Sequence, residues 1–440
     1  VGAVLCVDVG STFTKALLVG DDGAVLGKAS HPTTVGTDVM DGVDAVRAEL
    51  VATADPERTL LCSSAGGGLR LAVVGYEREV TAEAGFRVGL SAGARVVHVA
   101  SGPMTGADVT ALRAARPDVV LLVGGTDGGN ADVLLHNARR LARARTTAPV
   151  VVAGNARAAD EVAAELAATG RRHVVTANVL PRIGEVDPEG ARSAIREVFL
   201  RHVIGGKGLS RGRGFAELVR AATPDAVLGG VEVLAAVRGE DVLVVDVGGA
   251  TTDVYSVITP QGEDATIHRE VVGTVWHART VEADLGMRWN AEGVLEAATR
   301  ERLPVADGVA RYAARVVEDT GHVPAGATDW SHEEALARSA VTVALRRHGR
   351  PAPGERPRPL ADVGLVVGSG GVLRHAAPEV AARVLDPALT DHGGGWRVPD
   401  RAEAVVDRDY VLFAVGLLAA SDPARARALA ARLAGRAEFG

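Results

Sequence analysis

Two short stretches place an acid, a glycine and hydroxyl residues in the same order. They are Asp8-Val9-Gly10-Ser11-Thr12-Phe13-Thr14-Lys15 and Asp246-Val247-Gly248-Gly249-Ala250-Thr251-Thr252-Asp253. Gly10 permits a tight backbone turn. Ser11, Thr12 and Thr14 offer hydroxyls and N–H groups to a phosphate chain. Asp8 ends an apolar run, where a carboxylate is costly to bury unless it faces a cation or a wet cleft. A Mg²⁺-bound nucleotide would supply that cation. Lys15 would add positive charge to the phosphates, although strand alternation leaves its direction open. In the second stretch Gly248, Gly249, Thr251 and Thr252 repeat the design, and Asp253 stands where Lys15 stood. Asp253 has two readings, an orienter of the attacking water or a strand-end cap. Two such hairpins facing each other would clamp a triphosphate from both sides of an interdomain cleft.

A third stretch, Gly364–His375, runs from an apolar strand into Gly368-Ser369-Gly370-Gly371 and then toward a helix. Glycines here let the backbone approach a flat or anionic ligand. The dinucleotide pattern GxGxxG is not completed, because its third glycine would fall on Leu373. A glycine-rich strand–helix turn is the plainer reading, and the order after two D-x-G hairpins favours a nucleoside contact.

Other chemistry is weaker. Leu121–Asn130 (LLVGGTDGGN) reads either as an anion nest at a helix start or as a structural turn capped by Asp127 or Asn130. Cys62–Gly68 reads as a cleft lining or a flexible turn. Glu282 and Asp284 would either touch the nucleotide or be acids at a solvated helix start. Asp391 and His392 are adjacent, so the cobalt-ligating spacing DxHxxG fails and a Gly-rich loop is expected. Gly206-Lys207-Gly208 lacks the hydroxyl residue of a P-loop. The histidines show no metal-ligand spacing.

These turns need strands to carry them. Apolar runs at Val4–Val9, Val96–Ala100, Val119–Val123, Val150–Ala153, Val174–Thr176, Val242–Val247 and Gly364–Val367 alternate with helix-like runs such as Ala158–Ala168 and Ala191–Arg201. That alternation predicts an α/β fold with largely parallel sheets. Val4–Val19 and Val242–Val257 also align. Val4/Val242, Leu5/Leu243, Val7/Val245, Asp8/Asp246, Val9/Val247, Gly10/Gly248, Thr14/Thr252 and Val19/Val257 are identical pairs. A duplicated α/β domain explains this better than two unrelated hairpins. The expected division is 1–80 as part of the first half, 81–220 as an inserted doubly wound module, and 221–440 as the second half. Arg346–Pro359 reads as a surface loop.

Composition sets the outer bounds. The chain has 440 residues, enough for roughly three folding units or two large ones. Aromatic residues are 3% and the net charge is −7, so no global basic face or stacking platform for nucleic acid is expected. No apolar run approaches the ~20 residues of a membrane span. The first apolar stretch carries Asp8 and no basic region precedes it, so no signal peptide is expected. Two cysteines, Cys6 and Cys62, without a CxxC fit a reducing cytoplasm. Only Lys15, Lys28 and Lys207 are lysines, a bias read as compositional habit.

In order, the three glycine motifs resemble the actin-like ATPase superfamily of sugar kinases, actin and DnaK-type chaperones. That resemblance implies duplicated ribonuclease H-like domains, with Ala226–Val237 as connecting helix and Tyr410–Ala420 as closing helix, where Ala414 and Gly416 pack closely. It implies that Asp8 and Asp246 hold Mg through waters. Gly10, Ser11, Thr12, Gly248, Gly249, Thr251 and Thr252 would cradle the phosphates of ATP, and Gly368, Ser369, Gly370 and Gly371 would bind adenosine. A closer resemblance, to the MutL/GlmL family, is carried by DVGSTFTK, CSSAGGGLR, LLVGGTDGGN, VAGN, ANVLPRIGEVD, VDVGGATTDVYSV and RTVEADLGMR. It implies an ATPase, not itself the mutase, that maintains or reactivates adenosylcobalamin-dependent glutamate (methylaspartate) mutase. The implied partners are the mutase subunits, with no nucleic acid, no membrane and no direct cobalt ligation. The alternatives are a small-molecule kinase of the same fold, with Asp253 or Asp127 as base, an iron–sulfur activator, and a nucleotide-binding scaffold without turnover.

Overall fold

The computed structural model describes residues 2–10, 12–65, 69–76, 85, 88, 94–183, 185, 187–199, 209–210, 214–259, 276–350, 360–394, 398–399 and 401–435. Ser11, Gly66–Gly68, Lys207, the 351–359 part of the expected surface loop, and Gly395 lie outside them.

The first strands are β1 (Ala3–Val9), β2 (Phe13–Gly20) and β3 (Val25–Pro32), an antiparallel meander. Every residue of β1 is buried, as its unbroken apolar run requires. Helix α1 (Val39–Val51) starts at Asp38, whose carboxylate accepts from the Met40 N–H. It leads to β4 (Arg58–Ser63), parallel to β1.

The chain then builds a separate parallel sheet from β5 (Arg70–Gly75), β6 (Arg95–Ser101), β7 (Val119–Leu122), β8 (Val150–Val152) and β9 (His173–Val175). Its order is β6-β5-β7-β8-β9. Between and after these strands run α2 (Gly106–Ala114), α3 (Asp132–Arg143), α4 (Ala159–Ala167) and α5 (Glu189–Val198). Leu71, Val73 and Leu121 on one face share a core with the first sheet, and Ala72, Val74 and Leu122 on the other form a second core with Leu112, Leu134 and Val162 from the helices. That two-sided burial is what a doubly wound sheet demands. Helix α6 (Gly214–Leu218) precedes β10 (Val219–Ala222), which rejoins the first sheet parallel to β4.

Helix α7 (Thr223–Arg238) precedes the second meander, β11 (Val242–Val247), β12 (Thr252–Ile258) and β13 (Trp276–Glu282). Helices α8 (Ala291–Arg300), α9 (Val309–Glu318) and the 24-residue α10 (Gly326–Gly349) follow. His348 of α10 reaches the hydroxyls of Ser256 on β12 and Thr280 on β13 at 2.9 and 3.0 Å. Then come β14 (Leu365–Ser369), α11 (Gly371–His375), α12 (Pro378–Leu385), α13 (Pro387–Thr390), β15 (Glu403–Val406), α14 (Leu412–Ala419) and α15 (Pro423–Ala434).

The two outer sheets share one topology. Read as third, second, first, fourth and fifth strand, they run β3-β2-β1-β4-β10 and β13-β12-β11-β14-β15. In each, the first three strands are antiparallel and the last two parallel to the first. This is the duplicated actin-like, ribonuclease H-like arrangement. The chain divides near Gly229 into two compact units, the first carrying the first and middle sheets, the second carrying the third sheet. Among the described residues, no helix is long and apolar enough to cross a membrane.

Candidate phosphate-binding turns

In the first unit, the β1–β2 turn is closed by the Gly10 N–H, which donates to the Phe13 carbonyl at 3.1 Å. A Cβ on Gly10 would sit 2.8 Å from that oxygen, so the turn closes only around glycine. Thr33 takes up the turn's other carbonyls. Its N–H donates to Thr12 O at 2.9 Å and its hydroxyl to Gly10 O at 2.9 Å. The Thr12 N–H meets no acceptor among the described residues. Thr14 is fully buried and its hydroxyl lies 3.2 Å from that of Thr33, so its contribution to the turn is a fixed backbone.

Asp8 stands at the base of this turn, 2% exposed, opposite Lys15 on β2 and Cys62 on β4. Its Oδ1 accepts from the Thr223 hydroxyl at 2.5 Å and from the Cys62 thiol at 3.6 Å. Its Oδ2 lies on the Gly10 side, 3.9 Å from where a Gly10 Cβ would be. One oxygen is thus anchored from below and the other is directed toward the turn. Burial, then the Asp8 charge, pushes the Cys62 thiol well up, which keeps it a donor. Cys6 and Cys62 are distant in sequence but stand on adjacent strands, both buried and neither in a disulfide.

The second unit repeats the turn. The Gly248 N–H donates to Thr251 O at 2.9 Å, and a Gly248 Cβ would sit 2.9 Å from the same oxygen. The outer carbonyls are held from behind. Gly248 O accepts from Met287 N–H at 3.0 Å, and Gly249 O from Arg288 and Trp289 N–H at 2.8 and 3.0 Å. Ala250 O accepts from the Asn290 amide at 3.0 Å. The N–H groups of Gly249, Ala250 and Thr251 meet no acceptor among the described residues. Successive unpaired N–H groups with their carbonyls drawn away make a positive concavity suited to an anion. Thr252, like Thr14, is fully buried, and its hydroxyl donates to Leu285 O at 2.6 Å.

The segment behind the turn is braced. The Arg288 guanidinium forks onto the buried Glu333 carboxylate at 2.9 and 3.2 Å, and the Tyr312 hydroxyl donates to Glu333 at 2.5 Å. Burial and the Glu333 contact push the Tyr312 hydroxyl far up, so it remains a donor. Glu282 and Asp284 are not at a helix start. Glu282 ends β13, and both acids pair with Arg347 of α10 at 2.7 and 2.6 Å. Hydrogen bonding to Arg347 pulls Asp284 down, whereas burial pushes Glu282 up against the same arginine.

Asp246 is half-buried and pairs across the sheet with Asp253 on one side and Ser369 on the other. Asp253 is held by Arg279, Nη2 to Oδ2 at 3.1 Å. Gly370 lies at φ +97°, and a Cβ there would come within 2.1 Å of Val247 O. The Gly368–Gly371 segment is therefore seated directly on the strand that ends in the second turn. The structure brings Asp246, Asp253, Gly248, Gly249, Thr251, Thr252 and Gly368–Gly371 together in the second unit. It brings Asp8, Gly10, Thr12, Thr14 and Lys15 together in the first.

The remaining motifs are tied up in hydrogen bonds and ion pairs of their own. The Gly124–Asn130 loop is knit to itself by Asn155, which accepts from Gly128 N–H and donates to Gly129 O. Asp127 accepts from Ala156 N–H and the Asn178 amide. Asp391 forks onto Arg346 at 2.8 and 2.9 Å. Among the described residues, no group of three or more His, Cys, Asp or Glu could enclose a metal ion. Oxygen donors set singly beside a phosphate turn fit Mg²⁺, which keeps most of its waters and is usually held by one or two carboxylates and substrate phosphates.

A sequence profile of the family described as MutL protein matches residues 4–433. Protein MutL of Clostridium tetanomorphum is 33% identical over 454 residues, spanning 96% of this chain and 97% of its own. Among solved structures, nucleotide-free acetone carboxylase is similar over 95% of this chain and 70% of its own, with 15% identity and a TM-score of 0.40. A ROK family glucokinase from Streptomyces griseus, in complex with glucose and AMPPNP, is similar over 96% and 99%, with 15% identity and a TM-score of 0.35. Likenesses at those scores add nothing to the fold, which rests on strand order.

Proposed function

The chain belongs to the MutL protein family, and from that premise we propose that it is an ATP-binding accessory protein that hydrolyses Mg-ATP in the service of an adenosylcobalamin-dependent mutase. The observation that supports this best is the repeated turn, whose carbonyls are drawn back by Thr33 in one copy and by the 287–290 segment in the other.

In this reading the N–H groups of Gly249, Ala250 and Thr251 bind phosphate in the second unit, and Gly10, Thr12 and Lys15 are the corresponding phosphate-binding element of the first. Adenosine lies against Gly368–Gly371. Asp246, and Asp8 as its counterpart in the first unit, are the carboxylates that would hold Mg²⁺ through waters, and the ion would supply charge neutralisation at the phosphates. Asp253 orients the attacking water. The water oxygen bonds to the γ-phosphorus as the bond to the bridging oxygen breaks. The bridging electron pair stays on ADP, one water proton remains on the released phosphate and the other goes to solvent. The ATP and ADP states differ in affinity for the mutase, which couples turnover to its maintenance in the cytoplasm.

Phosphate release by the purified protein tests the catalytic half. We expect ATP- and Mg²⁺-dependent release that falls at least 100-fold in Asp8→Ala and in Asp246→Ala. Wild-type-like turnover in both variants would overturn the assignment. Transfer of phosphate to an added metabolite, without free phosphate, would place the chain with the kinases.

A further inference from the structure

We infer that Arg279 is a positioning residue for Asp253, holding one carboxylate oxygen so that the other is presented to the hydrolytic water. The inference rests on the reading of the second turn as an ATP site. In the antiparallel pair β11–β12, Asp253 stands directly opposite Asp246. Directly opposed residues share a face, with Cβ atoms about 5 Å apart. On β13, Arg279 stands opposite Tyr255, two residues along from Asp253. The Arg279 side chain is 4% exposed, its Nη2 lies 3.1 Å from Asp253 Oδ2, and its Cζ is 5.6 Å from the Tyr255 ring centroid. The guanidinium is thus confined between a carboxylate and a ring face, which fixes the plane of its fork.

The other oxygen, Asp253 Oδ1, is buried and meets no hydrogen-bond partner among the described residues. A buried carboxylate oxygen without a donor is costly, and such atoms in native folds call for an explanation. A water held against the phosphate turn supplies the missing donor. Burial works against the Arg279 charge and the neighbouring Asp253 carboxylate favours it, and the net effect holds the guanidinium above its ordinary value.

The duplication shows what this pair is not needed for. In the first meander Lys15 occupies the position of Asp253, and Lys28, opposite Leu17, occupies that of Arg279. The same three strands form there without a carboxylate–guanidinium pair. Meander formation therefore does not require the pair, and its presence beside Asp246 is a feature of one half alone.

The test compares Arg279→Met, Arg279→Lys, Asp253→Asn and the double variant Asp253→Asn/Arg279→Met in steady-state phosphate release, each checked by thermal melting. Asp253→Asn and Arg279→Met should each lower kcat roughly 100-fold, with KM for ATP changed less than about threefold. Arg279→Lys should recover kcat to within about tenfold of wild type. The double variant should match Asp253→Asn within about threefold, because both changes remove one function. If Arg279→Met alone does not fold, the double variant, which leaves no charge stranded, decides the matter. A double variant tenfold slower than Asp253→Asn would overturn the inference, as would a folded Arg279→Met at wild-type kcat beside an impaired Asp253→Asn. Wild-type protein with no ATP turnover would instead overturn the ATPase reading itself.

Discussion

Gly370 and Thr223 show how single atoms set the two sites. Gly370→Ala would put a methyl 2.1 Å from Val247 O at φ +97°. It should cost roughly 2 kcal/mol or more in urea denaturation. Gly371→Ala, whose methyl would meet nothing within 4 Å, should stay within about 0.5 kcal/mol of wild type. Thr223→Val removes a donor from the buried Asp8 carboxylate at nearly constant volume. A hydrogen bond to a charged group is worth about 1.5–3 kcal/mol. Phosphate release should therefore fall roughly 10- to 100-fold in Thr223→Val and recover in Thr223→Ser. Asp8, Asp246 and the turn glycines are legible in the sequence, because acid, glycine and threonine recur at fixed local spacing. Thr223 and Cys62 are not, since they meet Asp8 from 215 and 54 positions away through strand pairings that no local pattern records. Arg279 is hidden for the same reason, lying on the third strand of its meander.

At the scale of elements, apolar runs show through where burial is deep, completely in β1 and in β11 at every position but Asp246. Strand β13 hides because His277, Arg279 and Glu282 make it read as polar, and its charges are satisfied only by other elements, Glu282 by Arg347 of α10. Strand β10 hides because its sequence, Val-Arg-Ala-Ala, has little apolar or β-branched pattern, and it takes its place by pairing with β4. Helices α9 and α10 are joined by a clamp in which Asp329 accepts from Arg315 and from the Ala325 N–H and contacts His322. Arg315, then the Ala325 N–H, pulls the Asp329 carboxyl down to about 2. A carboxyl lowered on folding stabilises fully above its unfolded value of about 3.9 and loses that effect as pH falls through its folded value. The stability difference between wild type and Asp329→Asn should thus be constant above about pH 5 and shrink steadily toward pH 2. A difference that stays constant down to pH 2 would show that the clamp adds no pH-dependent stability.

Across the whole molecule, one five-strand topology occurs twice, and in chain order a doubly wound sheet is inserted between the fourth and fifth strands of the first copy. Repetition of strand order carries the duplicated α/β fold on topology. Divergence within the repeat carries the functional content. The same lattice points hold Lys15 and Lys28 in one copy and Asp253 and Arg279 in the other. Under the proposed function, the first half would attract phosphate and the second would direct a water. In the proposed function, membership of the MutL family ties these turns to an accessory role. The most direct test is restoration of an inactivated adenosylcobalamin-dependent glutamate mutase, measured as recovered mutase activity after incubation with this protein, Mg-ATP and fresh adenosylcobalamin. The account predicts recovery with wild-type protein and none with Asp8→Ala, Asp246→Ala or without ATP. Recovery with both variants, or no recovery with wild type, would contradict it.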